Sequence, residues 1–381
     1  SPPTYYDTET FEELIRVRVD SQREGDWEGR HLWCRVFITC PKADDAEKPP
    51  RFPVVLISPG FLLKASQYRN YSESLAGNGY VVIRYEIPSE TLTRPLDDVN
   101  AVKCIGQILD WFETPKSILT LSSLQQYYQQ QERQQEDHKP QKSRPDAKQQ
   151  KLQRLPDVSS GLVETVEVED VGELGLNPGL GLGLGFSRPS ITSEESRLLA
   201  KADINNVMLV GHSRGGKLAV LAQENDSRVR SIFLMDPVDN TKYAPKSRRF
   251  PSALDSLQRA SPVPMAVIGA GRGSDCAPKG SNYEVFFDNA KGERLLVEIS
   301  GAGHFAFLPF VTAVEQSICS EGKVPAEKVV LVTESTLRLW AERTLKDRKG
   351  SSPNAPEQFL AELNESLAGI ELSTLSINCS L

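Results

Sequence analysis

Apolar positions fall into three kinds of run along this chain. In residues 11–20 they alternate around Leu14, Ile15, Val17 and Val19, the period of a strand with one face buried. Residues 31–40 (HLWCRVFITC) are rich in β-branched and aromatic side chains and read as a second strand. Six shorter runs are largely apolar, with Arg84 and Glu298 the charged exceptions: 53–58, 80–85, 206–210, 231–235, 264–269 and 295–299. Short, near-continuous apolar runs such as 53–58 are what strands buried on both faces of a parallel sheet call for. Between them lie stretches with helical spacing. Residues 68–78 end at Gly79, and 97–112 place Val99, Val102, Ile105, Ile108, Leu109 and Phe112 on one face. An apolar helix (LAVLA) follows residue 217, and further helices are predicted over 334–346 and about 355–369.

Strands alternating with helices predict a doubly wound, mainly parallel sheet flanked by helices. The regularity stops in the middle of the chain. Residues 125–153 are dominated by Gln, Lys, Arg and Glu, and 161–189 contain the low-complexity piece LGLNPGLGLGLGF. Neither has the composition to build a core. The expected organisation is one domain over 1–381, with 125–190 as a largely disordered insertion before the strand at 206–210 and 311–381 as a helical C-terminal region.

Composition narrows the function. The net charge of −7 argues against nucleic acid as a partner, since phosphate binding needs a basic surface. The longest apolar runs are too short for a spanning helix. The six cysteines form no CxxC pair, so no metal site is expected. Cys34 and Cys40, on one strand, are too far apart to pair with each other. The chain opens at Ser1 with no apolar leader, and we read it as a processed or trimmed form.

The chemistry centres on Gly211-His212-Ser213-Arg214-Gly215. This is a G-x-S-x-G sequence lying between a predicted strand and a predicted helix, the context a nucleophile elbow requires. The glycines avoid Cβ clashes where strand and helix pass, and Ser213 projects its hydroxyl from a strained turn. The expected fold is therefore that of the α/β-hydrolases. A serine hydroxyl needs a base. Of the four histidines, His31 lies in an early strand, His138 in the insertion, and His212 is the x of the elbow, read as a packing or hydrogen-bonding residue. His304 remains, just past the last predicted strand after Gly301-Ala302-Gly303. For the acid, Asp236 follows an apolar strand and precedes a proline, whereas the alternative, Asp275, sits in a Gly/Ser-rich loop; Asp239 is a third choice. The oxyanion donors expected are the backbone N–H groups of Arg214 and Phe61, with the Arg214 side chain structural. Phe61, Leu62 and Leu63 on one side and Phe305, Phe307, Leu308 and Phe310 on the other would form an apolar mouth suited to a lipophilic ester.

These residues resemble a known family. The extended elbow Gly211-His212-Ser213-Arg214-Gly215-Gly216-Lys217, the strand end Met235-Asp236-Pro237-Val238, residues 264–269 (PMAVIG), Cys276-Ala277-Pro278 and Gly303-His304 are similar to the chlorophyllases. The similarity covers about 50–115 and 200–310. It implies Ser213, Asp236 and His304 as a catalytic triad and a chlorophyll or chlorophyll-derivative substrate. It further implies release of chlorophyllide and phytol, no metal or other cofactor, and a plastid location; peripheral membrane contact would suit such a substrate. The loop Ser58-Pro59-Gly60-Phe61 is also similar to cutinase-like and platelet-activating-factor acetylhydrolase-like esterases. A general carboxylesterase or lipase is thus the alternative activity. A non-catalytic binding protein on the same scaffold is the third reading.

Overall fold

Side-chain alternation along the central strands builds two cores at once. Along β3 (Phe52–Ser58), Val54 and Leu56 point to one face and Val55 and Ile57 to the other. The same division runs through β5 (Ala202–His212), with Val207 and Leu209 opposite Met208 and Val210. In β6 (Val229–Met235), Ile232 and Leu234 lie opposite Phe233 and Met235. A strand that buries both faces favours apolar side chains at every position, which is why the middles of these strands are near-continuous apolar runs.

The structure, a computed structural model, describes residues 5–20, 30–42, 50–90, 95–113, 199–273, 276–346, 361, 362, 365 and 374–378. The expected insertion at 125–190 and most of the helix expected at 355–369 lie outside them.

Nine strands form one sheet among the described residues, in the order β1-β2-β4-β3-β5-β6-β7-β8-β9. The six from β4 to β8 in that order are mutually parallel. They include β4 (Val81–Glu86), β7 (Met265–Ala270) and β8 (Arg294–Ile299). One edge is the antiparallel pair β1 (Thr8–Val19) and β2 (Arg30–Pro41), whose partner β4 is antiparallel to β2. The other edge is β9 (Thr374–Asn378), antiparallel to β8. Here the chain differs from the all-helical C-terminal region expected over 311–381. Helices α6 (Ala313–Ile318) and α7 (Ala326–Ala341) are present, but the chain then returns as a strand. TLSIN alternates polar and apolar residues, the period of a strand, and the open edge of β8 supplies its backbone partners.

The helices divide between the faces. On one lie α2 (Asp98–Glu113), α3 (Arg214–Gln223), α4 (Ala253–Arg259) and α5 (Tyr283–Asn289), burying residues such as Ile105, Leu218, Leu257 and Phe286. On the other lie α1 (Arg69–Gly77) and α7, burying Tyr71, Leu75, Val329, Leu337 and Trp340. From β3 the chain winds outward to β4, then crosses back to β5 on the opposite side of β3. The loops leaving β3 and β5 therefore part at a topological switch point, where open α/β sheets form their binding crevice. The fold is that of an α/β-hydrolase.

Candidate active site

The elbow is a backbone solution to a steric problem. Ser213 sits at φ 56° and ψ −125°, in the left-handed half of the map, between the end of β5 and the start of α3. Only a tight turn lets helix follow strand so directly, and it brings backbone against backbone. A Cβ on Gly211 would lie 2.2 Å from the Gly215 carbonyl oxygen, and one on Gly215 would lie 2.1 Å from that of Ser58. Another residue at 211 would push α3 off the end of β5, and one at 215 would push it off the end of β3. Ser213 N–H donates to Met235 O at 3.0 Å, which pins the turn to the end of β6.

Three side chains far apart in the sequence meet at this rim. His304 Nε2 lies 2.9 Å from Ser213 Oγ, and His304 Nδ1 lies 2.6 Å from Asp236 Oδ2. An ionised carboxylate only accepts, so Nδ1 carries the proton and Nε2 is left to accept from the Ser213 hydroxyl. Asp236 is fully buried at a positive φ of 40°, and its other oxygen accepts the Ala270 N–H at 3.1 Å. Gly273 crosses beside it, where a Cβ would stand 2.8 Å from Asp236 Oδ2. Asp239 is engaged elsewhere: it accepts from Ser252 Oγ and the Ala253 N–H and faces Lys217 Nζ at 3.6 Å. Asp275 lies outside the described residues.

Of the two N–H groups expected at the oxyanion position, that of Arg214 follows Ser213 directly in the chain, and that of Phe61 follows Gly60. Arg214 opens α3, so its N–H has no carbonyl partner within the helix. Gly60, immediately before Phe61, passes so close that a Cβ on it would lie 3.3 Å from Ser213 Cβ. The Arg214 side chain is structural in its contacts. It donates to Asp98 and Glu90 at 2.8 Å each and to the Leu96 carbonyl, and its guanidinium lies 5.6 Å from the centre of the Phe61 ring. Asp98 also pairs with Lys217 at 2.9 Å, so the charges beneath the elbow are mutually compensated.

The apolar mouth is smaller than the sequence led us to expect. Phe61 and Leu62 are each 38% exposed, and Phe305 is half-buried with its ring 5.4 Å from that of His304. Leu63 and Phe307, at 6% and 0%, belong to the core instead, as does Leu308. Phe310, Val314 and Ile318 are exposed farther along the segment after His304. A disulfide between Cys276 and Cys319, with Cα atoms 5.6 Å apart, ties the loop after β7 to the end of α6.

Sequence reasoning missed three residues that hold the segment carrying His304. Tyr71 O–H donates to the Phe307 carbonyl, and Gln67 Nε2 donates to the Phe310 carbonyl at 3.3 Å. Tyr68 O–H lies 2.8 Å from His212 Nδ1. All three come from a single turn of helix at Ala65–Tyr68 and the start of α1. In the sequence Tyr68 and Tyr71 read as ordinary members of the helix expected over 68–78, and Gln67 lies just before it. His212, expected as a packing or hydrogen-bonding residue, is fully buried, and burial first, then the facing His304 imidazole, lowers its pKa to about 3.

Comparison with known proteins follows the same lines. Two chloroplastic chlorophyllase-1 proteins, from Citrus unshiu and Citrus sinensis, are each 33% identical over 97 residues, 24% of this chain. The chain thus matches 29% of the length of these curated relatives. A ferulic acid esterase from Streptomyces cinnamoneus has a similar fold, with a TM-score of 0.50 over 92% of this chain and 93% of that one, at 15% identity. The chlorophyllase family model matches residues 195–338, which include the elbow, Asp236 and His304, and over that stretch the resemblance to the chlorophyllases is shown.

Proposed function

We propose that the chain is a serine esterase that hydrolyses the phytyl ester of chlorophyll to chlorophyllide and phytol. The observation that carries the reading is the unbroken hydrogen-bond chain from Ser213 Oγ through His304 to Asp236. His304 Nε2 takes the Ser213 proton as Oγ attacks the ester carbonyl. The negative charge that forms on the carbonyl oxygen is met by the N–H groups of Phe61 and Arg214. His304 then gives its proton to the departing alcohol, and water cleaves the acyl-enzyme by the same steps in reverse. Asp236 holds the ring in the required tautomer and offsets the imidazolium charge.

Choice of substrate rests on the family match and on the exposed apolar side chains of Phe61 and Leu62 beside the elbow, which favour a greasy ester over a peptide. Peripheral contact with a lipid surface fits the exposed Phe310, Val314 and Ile318, and a plastid location fits the relatives.

Purified protein incubated with chlorophyll a should yield chlorophyllide, read by chromatography. Ser213→Ala should fold normally and lose about six orders of magnitude in kcat, and a fluorophosphonate should label the unaltered chain at Ser213 only. Asp236→Asn should keep the fold and lower kcat about 10⁴-fold, because Asn offers the ring an N–H and so favours the wrong tautomer. If chlorophyll is untouched while p-nitrophenyl esters of rising chain length are cleaved, the general carboxylesterase reading replaces this one. Absence of fluorophosphonate labelling would remove the nucleophile and with it both enzymatic readings.

A further inference from the structure

We propose that Tyr68 and His212 are positioning residues that tie the oxyanion loop to the backbone of His304 through one directed hydrogen-bond chain. The inference rests on the serine-esterase reading of the site. Its parts come from three separate segments: the loop after β3, the elbow after β5 and the loop after β8. Gly60 N–H donates to Tyr68 Oη at 3.1 Å. Tyr68 Oη lies 2.8 Å from His212 Nδ1, and His212 Nε2 lies 3.0 Å from the His304 carbonyl oxygen.

Every direction in this chain is fixed. A carbonyl oxygen can only accept, so His212 Nε2 carries a proton. Tyr68 Oη already accepts the Gly60 N–H, and its own hydrogen goes to His212 Nδ1, which must therefore be bare. A second proton on His212 would set two donors against each other. Burial and the neighbouring His304 ring hold that proton off, and burial pushes the Tyr68 phenol pKa upward. Tyr68 and His212 are both buried, so no water competes for these bonds.

What the chain positions follows from its ends. Gly60 precedes Phe61, whose N–H is the proposed oxyanion donor, and His304 bears the proposed base. Gln67 and Tyr71 hold the segment after His304 independently at residues 310 and 307. Loss of the Tyr68 hydroxyl therefore frees the oxyanion loop selectively and leaves the base loop anchored. A donor misplaced by a fraction of an ångström acts on the transition state more than on the bound ester.

The test uses the full chain with p-nitrophenyl butyrate and its thiono analogue, whose sulfur is a poor hydrogen-bond acceptor. Tyr68→Phe should lower kcat on the oxygen ester about 10- to 100-fold, with KM changed less than about twofold. The ratio of oxygen-ester to thiono-ester rates should narrow; a variant that had merely lost folded protein would slow both alike. His212→Gln places an amide N–H where ring Nε2 was but offers nothing at Nδ1, so it should reproduce Tyr68→Phe. The double variant should be no worse than the worse single one. An unchanged ratio in Tyr68→Phe, or effects that multiply in the double variant, would overturn the proposal. If Tyr68→Phe does not fold, His212→Gln carries the same comparison. Nitrogen NMR of the chain labelled at its four histidines provides a readout independent of turnover. His212 should show a bare Nδ1 and a protonated Nε2 down to pH 5, and the Gly60 amide should shift in Tyr68→Phe; a protonated Nδ1 sinks the proposal. If the unaltered protein cleaves neither ester, the esterase reading is what fails, and the NMR result judges the hydrogen-bond chain by itself.

Discussion

At the scale of single residues the site is governed by which groups are allowed to ionise. His212 illustrates this outside the proposed triad. Its folded-state pKa, about 3, lies below the ordinary histidine value of 6.5. The unfolded chain therefore binds a proton that the folded chain refuses. The sign follows: His212 leaves stability unaffected above about pH 6.5 and destabilises progressively as pH falls from there toward 3, with a limiting slope of about 1.4 kcal/mol per pH unit. Urea unfolding at pH 7, 6, 5 and 4 should show this loss, and His212→Gln should be flatter over the same range than the unaltered protein. Equal slopes in the two would mean that His212 is protonated in the native state. The sequence disclosed His212 only by elimination, as the histidine the elbow geometry keeps from acting as base. Its partners stayed hidden because Tyr68 and His304 lie 144 and 92 residues away, a distance no local pattern spans.

At the scale of elements the strand–elbow–helix unit is the most demanding piece of the chain, and the easiest to read. Its requirements are local: glycines where backbones touch, and a serine that accepts a left-handed φ. The central strands were legible for a related reason, since burial on two faces favours apolar residues at successive positions. Leu63 and Phe307 were misassigned to the mouth because an apolar residue near a site looks the same in sequence whether it points up to the ligand or down to the core. Strand β9 was missed because its alternation runs for only five residues and its partner, the free edge of β8, exists only in the assembled sheet. The elbow's tightness yields a direct prediction. In Gly215→Ala the added methyl would stand 2.1 Å from Ser58 O and 2.5 Å from Pro59 O, both backbone atoms. Relief requires the loop that carries Gly60 and Phe61 to move. The expected outcome is a loss of several kcal/mol in stability. Fluorophosphonate labelling at Ser213 should fall at least about 100-fold in whatever fraction folds, because the N–H of Phe61 moves with the loop. Thermal unfolding and labelling rate, measured on one sample, would separate the two effects, and normal values of both would refute the packing argument.

For the molecule as a whole, one sheet separates two cores that share backbone but few side-chain contacts. Ile232 packs among the residues of α2 through α5, whereas Ile268, on the next strand, packs on the face covered by α1 and α7. Both are fully buried. Shortening either to valine removes one methylene and leaves a small void, at a cost of about 0.5–1.5 kcal/mol. Free energies couple when residues share partners or a cavity, and here the hydrogen-bonded sheet stands between the two sites. The Ile232→Val/Ile268→Val pair should therefore be additive to within about 0.5 kcal/mol in chemical denaturation. Ile232→Val with Val267→Ala, both lining the first core from adjacent strands, should depart from additivity by more than that, since the second void changes how far the first can relax. The contrast matters for the site, which is assembled from loops at the ends of strands that bound both cores. If the first pair proved as strongly coupled as the second, the sheet would be transmitting packing strain from face to face. The rim could not then be treated as a frame held independently from below by each core.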